Sequence, residues 1–426
     1  MQTRLFFCFQ PFFWSLIIGV LLWITIFICL PVDVAKTFQP ETFIYIIASY
    51  LCLVAGFAFF DFSKFIEKTH DNYIGNSLIL KSIIAIVIIS YLLRWYDLFI
   101  IRELSFYYEP KYNRILNYEN SIKSNILFSL GSVLKSLYFF PFVLSFAKSN
   151  KGNKALLVFP YLLLLFPMVE AILIGTRQPF FVVFLIIFIT VLVTKSFKPN
   201  FKNVSIFFVS IFLLLSLSMF ILFQREVKAD NTSDSFYSEL LSGRYNDMVP
   251  PKDFVIDFFE SPDNPELLKY YSMSLLQFGQ YIIHGVFEFN YLLSREQTQL
   301  AFGKHTFYPL LKLYNQLNIF EKVELKNYTP RGYVYITFFG SMYIDFRWFG
   351  LLSFFLFGII QKYIVQKSKS NFIYKPLMIY FLMINVFLLS FNFLRGAGIY
   401  PIFGLLVFLI LFQIFQSLIN EKSFNT

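Results

Sequence analysis

Two arginines stand beside turns of a strongly apolar chain. Arg177 lies in EAILIGTRQPFF, where two apolar runs meet with almost no loop between them, so its guanidinium falls at a membrane boundary. A planar guanidinium can hold a phosphate or pyrophosphate through two parallel N–H groups, which a lysine cannot do. The plainer reading is a snorkelling or topology-setting charge, and it is weakened because this arginine falls on the face that positive charge avoids. Glu170, seven residues earlier and inside the apolar run, either pairs with a basic group or takes part in proton transfer. Arg331 lies in NYTPRGYVYITFFGSMYIDFRWFG beside Gly332, where the backbone lets a substrate come close. In the same segment Asp345 and Arg347 are either substrate contacts or an interfacial structural pair.

Three more groups could move a proton or bind a sugar. His284 and Glu288 are four residues apart, so on a helix they share a face and the carboxylate could orient the imidazole as a general base. An amphipathic surface face is the competing reading. His305, in FGKHTFYP, is an independent candidate base, and Arg395 lies on a turn facing the same way as Arg177. Several chemistries have no support. The chain has no glycine-rich phosphate loop, CxxC, HExxH or GxSxG. The segment PVDVAKTFQPET has no paired carboxylates of the kind that hold a divalent cation. The three cysteines, Cys8, Cys29 and Cys52, cluster at the N-terminal end, so neither a disulfide framework nor a metal site is expected, and no cofactor is implied.

The elements that must position these groups follow from composition. Of 426 residues, 57% are hydrophobic and 15% charged, and 60 are phenylalanine. A soluble domain carries about a quarter charged residues. Apolar runs recur near residues 11 to 31, 43 to 60, 78 to 100, 125 to 147, 155 to 174, 179 to 194, 204 to 223, 348 to 364, 376 to 393 and 399 to 418. Most have the ~17–25 residues a spanning helix needs, and each must be helical because lipid offers no partner to an open backbone. The expected fold is therefore an all-α polytopic integral membrane protein of about ten transmembrane helices. The first run has no small-residue cleavage site behind it and reads as a retained helix. The net charge of +10 is spread over short loops and forms no aromatic-interleaved basic face, so nucleic acid is not an expected partner.

Arg4, Lys64, Lys68, Lys148, Lys151, Lys154, Lys195, Lys198, Lys202, Lys362, Lys367, Lys369, Lys375 and Lys422 fall on one face of this arrangement, which makes that face cytoplasmic and both termini with it. The basic loop around Arg102, Lys111, Arg114 and Lys123 runs against the pattern, but Glu103, Glu109 and Glu119 lie among its cations. Three regions result: transmembrane helices over 1–223, an outward loop over 224–332 expected to form a small, mostly helical cap, and 333–426 with a re-entrant or interfacial segment followed by further transmembrane helices. A loop that long implies structure of its own.

The GTR turn, the large outward loop, the FGKHTFYPLL segment and above all VYITFFGSMYIDFRWFG resemble the O-antigen polymerases, the Wzy-type oligosaccharide repeat-unit polymerases. Many members carry N-V-Y-T, a short gap, then Tyr, Asp-Phe-Gly and a further Gly. Val334, Tyr335, Thr337, Tyr343, Asp345, Phe346 and Gly350 match in order, while Tyr333 replaces the Asn and Arg347 the first Gly. The resemblance implies a multi-pass protein of the bacterial inner membrane. It also implies a reaction at the periplasmic face, in which a glycan leaves undecaprenyl pyrophosphate and joins a hydroxyl of another lipid-linked repeat unit. It adds Tyr335 and Thr337 to the substrate-binding candidates. A chain-length regulator and a flippase are implied partners besides the bilayer. Pyrophosphate is a leaving group that needs charge neutralisation more than a general acid, and fixed arginines supply that without metal. On this reading Arg177 and Arg331 neutralise the leaving group and His305 or Glu170 takes the acceptor proton. An O-antigen ligase shares the architecture and is the alternative enzyme. A flippase is the alternative transporter, weakened by the absence of visible internal repeats.

Overall fold

The computed structural model describes residues 2–66, 73–120, 125–147, 155–194, 201–230, 241, 243–295, 299–317, 321–332 and 334–424. Lys68, His70, Lys123, Lys148, Lys151, Lys154, Lys195, Lys198 and Tyr333 lie outside them. The first half contains α1 Gln2–Cys29, α2 Pro40–Phe59, α3 Tyr73–Tyr96, α4 Pro110–Glu119, α5 Ile126–Leu134, α6 Phe140–Ala147, α7 Ala155–Leu163, α8 Phe166–Ile174, α9 Gln178–Thr194 and α10 Phe201–Asp230. The second half adds α11 Asp253–Glu260, α12 Glu266–Leu293, α13 Tyr308–Leu317, α14 Phe338–Phe346, α15 Gly350–Ser370, α16 Lys375–Val386 and α17 Tyr400–Phe424. Among the described residues there is no strand, and the extended pairing is a single antiparallel bridge between Val32 and Pro251.

Among the described residues, six stretches are long and apolar enough to cross a membrane: Pro11–Cys29, Pro40–Lys64, Leu78–Ile101, Ile126–Phe146, Phe338–Ser370 and Ala397–Ile414. Four shorter apolar helices, Val158–Ile174, Gln178–Thr194, Val209–Ser218 and Phe372–Val386, fall on the other segments read from the sequence. The described residues are all-helical, and their long apolar helices support a multi-pass membrane protein. The stretch before Phe346, read from sequence as re-entrant or interfacial, is α14, which joins α15 through a short 3-10 turn to make one apolar stretch. Thr337 starts it: its buried hydroxyl accepts the Gly340 N–H at 2.9 Å, the N-cap that a threonine supplies.

Without water to drive apolar association inside lipid, helix pairs depend on close backbone approach. Gly56 of α2 and Gly358 of α15 provide it, since a Cβ at either would collide with the facing backbone, Phe355 O in one case and Leu53 O in the other. The 224–332 region does not sit apart from this bundle. Ile282, Val286, Phe289 and Leu292 of α12 are buried in the same core as Tyr45 of α2 and Phe338 of α14. Asn290 fixes the docking: its Oδ1 accepts the Gln39 N–H at 2.8 Å and the Thr42 hydroxyl at 2.9 Å. A second core, with Val32, Val249, Phe259, Met273 and Phe287, joins the C-terminal end of α1 to α11 and α12. The VPPK stretch is pinned there by Asp33 N–H to Pro250 O at 2.8 Å and Lys252 N–H to Pro31 O at 3.1 Å.

Candidate functional site

Arg177 is placed by a helix ending that its sequence dictates. Gly175 follows α8 with φ +68°, a left-handed conformation that glycine adopts at little cost. Thr176 N–H then returns to Ala171 O at 2.8 Å. Pro179 sits in the first turn of α9, where its missing N–H costs nothing. G-T-R-Q-P is thus a stop and a restart with Arg177 between them. Its side chain lines a cavity of about 1670 Å³ together with Arg395, Arg114, Tyr281 and Tyr335. Tyr281 and Tyr335 meet edge to face at 5.5 Å. Beyond this polar end the wall is apolar, with Trp14, Leu22, Phe188, Leu192 and Leu214 among its residues. The site therefore has a cationic, hydroxyl-bearing head and a long apolar body.

Arg395 reaches the cavity through a relay of polar contacts that begins at Asp345. The Asp345 carboxylate accepts the His305 N–H at Oδ1 and the Thr306 N–H at Oδ2, each at 3.0 Å. Thr306 Oγ1 accepts the Asn392 side-chain amide at 3.3 Å, and Asn392 Oδ1 caps the turn Phe393–Arg395 by accepting the Leu394 N–H at 2.9 Å. Arg395 Nη2 donates to Asn327 Oδ1 at 3.2 Å. Burial draws the Arg395 guanidinium below its ordinary pKa, with Tyr308, Tyr335 and Asp345 acting the other way. Asp345 is fully buried and Thr337 caps α14, so neither faces the cavity. Both position what does. His305 is 1% exposed; burial first and the Arg395 charge second hold its imidazole well below the ordinary value, so it is neutral.

Arg331 is enclosed elsewhere. Its Nη2 lies 2.7 Å from Asp247 Oδ2 and also meets Arg244 O, while its Nη1 lies 3.1 Å from Glu288 Oε1. Arg244 Nη1 returns the contact to Gly332 O at 2.6 Å. The result is a clasp between the two ends of the 224–332 region, not a member of the cavity wall. The expected partnership of Arg331 with Arg177 is replaced by that of Arg395 with Arg177. His284 and Glu288 do share α12, but they do not pair. His284 Nδ1 lies 3.0 Å from the carbonyls of Gln280 and Tyr281, and its ring stands 4.4 Å from Tyr245. Burial lowers the His284 pKa to about 4. Burial raises that of Glu288 to about 7, against the Arg331 charge.

Glu170 is buried in α8, bound to Lys135 and 4.0 Å from Arg94 Nε, and it does not line the large cavity. Arg347 is also remote from it: its guanidinium lies 5.1 Å over the Tyr343 ring, and its carbonyl accepts the Tyr45 hydroxyl at 3.2 Å. The sequence reading passed over Tyr281, one aromatic among 27 tyrosines, and set Arg114 aside. The signal for Arg114 was present, since its loop is basic on the face where cations are not needed for topology. Among the described residues no group of three or more His, Cys, Asp or Glu side chains is placed to hold a metal ion. Comparison with family models, curated proteins and solved structures finds no match for this chain.

Proposed function

We propose that the large cavity binds a polyprenyl-pyrophosphate-linked oligosaccharide and that the chain is a glycosyltransferase joining such units, an oligosaccharide repeat-unit polymerase of the inner membrane. The observation that carries this reading is the division of one cavity into a head with Arg177 and Arg395 and an apolar body. Paired guanidiniums suit a pyrophosphate, and a lipid tail suits the remaining wall. In the reaction the bond from the donor's anomeric carbon to the pyrophosphate oxygen breaks, its electron pair leaving with the pyrophosphate. The acceptor hydroxyl oxygen bonds that carbon and loses its proton. Charge on the departing group is met by fixed arginines that need no reorganisation. Neither Glu170 nor His305 lines the cavity, which leaves the departing pyrophosphate, itself a base, to take the proton.

On this reading the ten apolar segments all cross, both termini are cytoplasmic, and the 224–332 region with the cavity head is periplasmic. The test is expression in a cell that makes the matching repeat unit and lacks its own polymerase, followed by gel analysis of surface polysaccharide. Long chains are expected. Single repeat units only, with the protein present at normal level, sink the proposal.

A further inference from the structure

Behind the large cavity, sharing Gln178, Val182 and Phe393 with its wall, is a second cavity of about 370 Å³. That volume lies within the roughly 300–1,000 Å³ that holds a small ligand. Four cations line it: Arg94, Arg102, Lys135 and Lys312. Among the described residues their acidic partners are two. Asp97 lies 2.6 Å from Arg94 Nη1 and 2.9 Å from Arg102 Nε, and Glu170 takes Lys135 with Arg94 at 4.0 Å. Both carboxylates are buried and already shared. Four cations against two carboxylates leave two positive charges uncompensated.

Lys312 is the odd member. It comes from α13, a helix of the 224–332 region whose Gln316 accepts the Ser129 hydroxyl of α5, and it makes no ion pair among the described residues. Its ammonium is held below the ordinary pKa by burial and then by Arg102, a like charge facing it. Arg102 is fixed in place, its Nη1 donating to Asn117 O at 3.0 Å and to Asn117 Oδ1 at 2.9 Å. A lysine lining the same cavity as a fixed arginine, whose one carboxylate, Asp97, is shared with Arg94, is unfavourable unless an anion joins them. Four cations converging on a small cavity suit a compact polyanion better than a single carboxylate.

We propose that this second cavity binds a phosphate-bearing ligand, a phosphate monoester or diphosphate group, held between Lys312 of α13 and Arg102 at the outer end of α3. The site follows from the charges of the second cavity and holds whichever reaction the large cavity serves. The phosphate can arrive free from solution or as a lipid headgroup, and the two sources share this chemistry.

The purified chain, in nanodiscs of zwitterionic lipid, is titrated with inorganic pyrophosphate by calorimetry, with thermal unfolding run alongside to show that each variant folds. Saturable binding is expected, with one event weakened roughly tenfold in Lys312→Gln by loss of one charge-assisted contact and that same event abolished in Lys312→Glu. Arg177→Ala, in the large cavity, keeps a Lys312-dependent binding event. A second set of nanodiscs contains phosphatidic acid, whose headgroup is a phosphate monoester. Lys312-dependent competition by that lipid supports the site with a headgroup as occupant. Equal pyrophosphate affinity in both discs, still dependent on Lys312, supports it with a free anion. Absence of saturable pyrophosphate binding together with absence of Lys312-dependent lipid competition overturns the proposal. So does an affinity unchanged in both Lys312 variants.

Discussion

The carboxylate of Asp345 accepts the backbone N–H of Thr306 at 3.0 Å, 39 residues earlier in the chain. Through Thr306 and Asn392 that bond fixes the turn carrying Arg395. Replacing Asp345 by alanine leaves the His305 and Thr306 N–H groups without an acceptor in the interior. Each such donor costs about 1–3 kcal/mol. Asp345→Ala is expected to lower the unfolding temperature and, in whatever protein still folds, to shorten polysaccharide chains. Asp345→Asn keeps an acceptor oxygen and falls between. Wild-type melting and wild-type chain length in Asp345→Ala would contradict the positioning role.

Arg347 joins α14 to α15 with φ +52°, a conformation that costs a residue with a Cβ about 1–3 kcal/mol. Glycine removes that cost. Arg347→Gly gives up the side-chain contacts, among them a cation–π contact of about 0.5–1 kcal/mol, and keeps the carbonyl that accepts the Tyr45 hydroxyl. The variant is expected to melt at a higher temperature than wild type. A lower melting temperature would show that the side chain matters more than the backbone.

The helical architecture was legible because lipid leaves a spanning backbone one solution, so apolar runs could be read directly as helices. Arg177 was legible for a local reason: Gly175 and Pro179 bracket it within five residues. What failed was long-range pairing. Arg331 looked free beside Gly332, yet Asp247 is 84 residues upstream, and no local pattern announces a partner at that separation. Glu170 was left between pairing and proton transfer. Its cations, Lys135 and Arg94, come from other parts of the bundle, so the pairing could not be read from the residues near it in sequence. The His284–Glu288 spacing was read correctly as one helix face, but Arg331 competes for the carboxylate and the helix's own carbonyls take the imidazole N–H.

The three arginines separate by location. Arg177→Ala and Arg395→Ala remove charge from the cavity head and are expected to abolish long chains at unchanged protein level. Loss of one such contact to a developing charge costs roughly 10²–10³ in rate. Arg177→Lys keeps the charge but not the two-pronged grip and is expected to retain a small fraction of activity. Arg331→Ala strips the clasp of its contacts to Asp247, to the Arg244 carbonyl and to the buried Glu288, whose carboxyl burial already draws toward its neutral form. Its defect is therefore expected in protein amount. Chain length normalised to membrane protein level distinguishes the classes, and a folded, abundant but inactive Arg331→Ala would return that residue to the reaction.

The stability of the clasp region has a pH dependence whose terms oppose each other. Glu288 is raised by burial from 4.5 to about 7, so the folded state holds a proton that the unfolded chain has released, and stability falls as pH rises through this window. His284 is lowered by burial from 6.5 to about 4, and His305 is lowered in the same sense. For these two the unfolded chain holds the proton, so stability rises with pH up to the ordinary histidine value. The two histidines outweigh the one carboxyl, so the wild-type melting temperature should rise with pH between about pH 4.5 and 6.5, less steeply than the histidines alone would make it, then fall slightly toward neutrality as Glu288 finishes ionising. Glu288→Gln removes the opposing term. In that variant melting should rise with pH as far as about 6.5 and then level off. A Glu288→Gln profile that stays flat, measured by thermal unfolding across this range, would show that the two histidines are not buried in their neutral form.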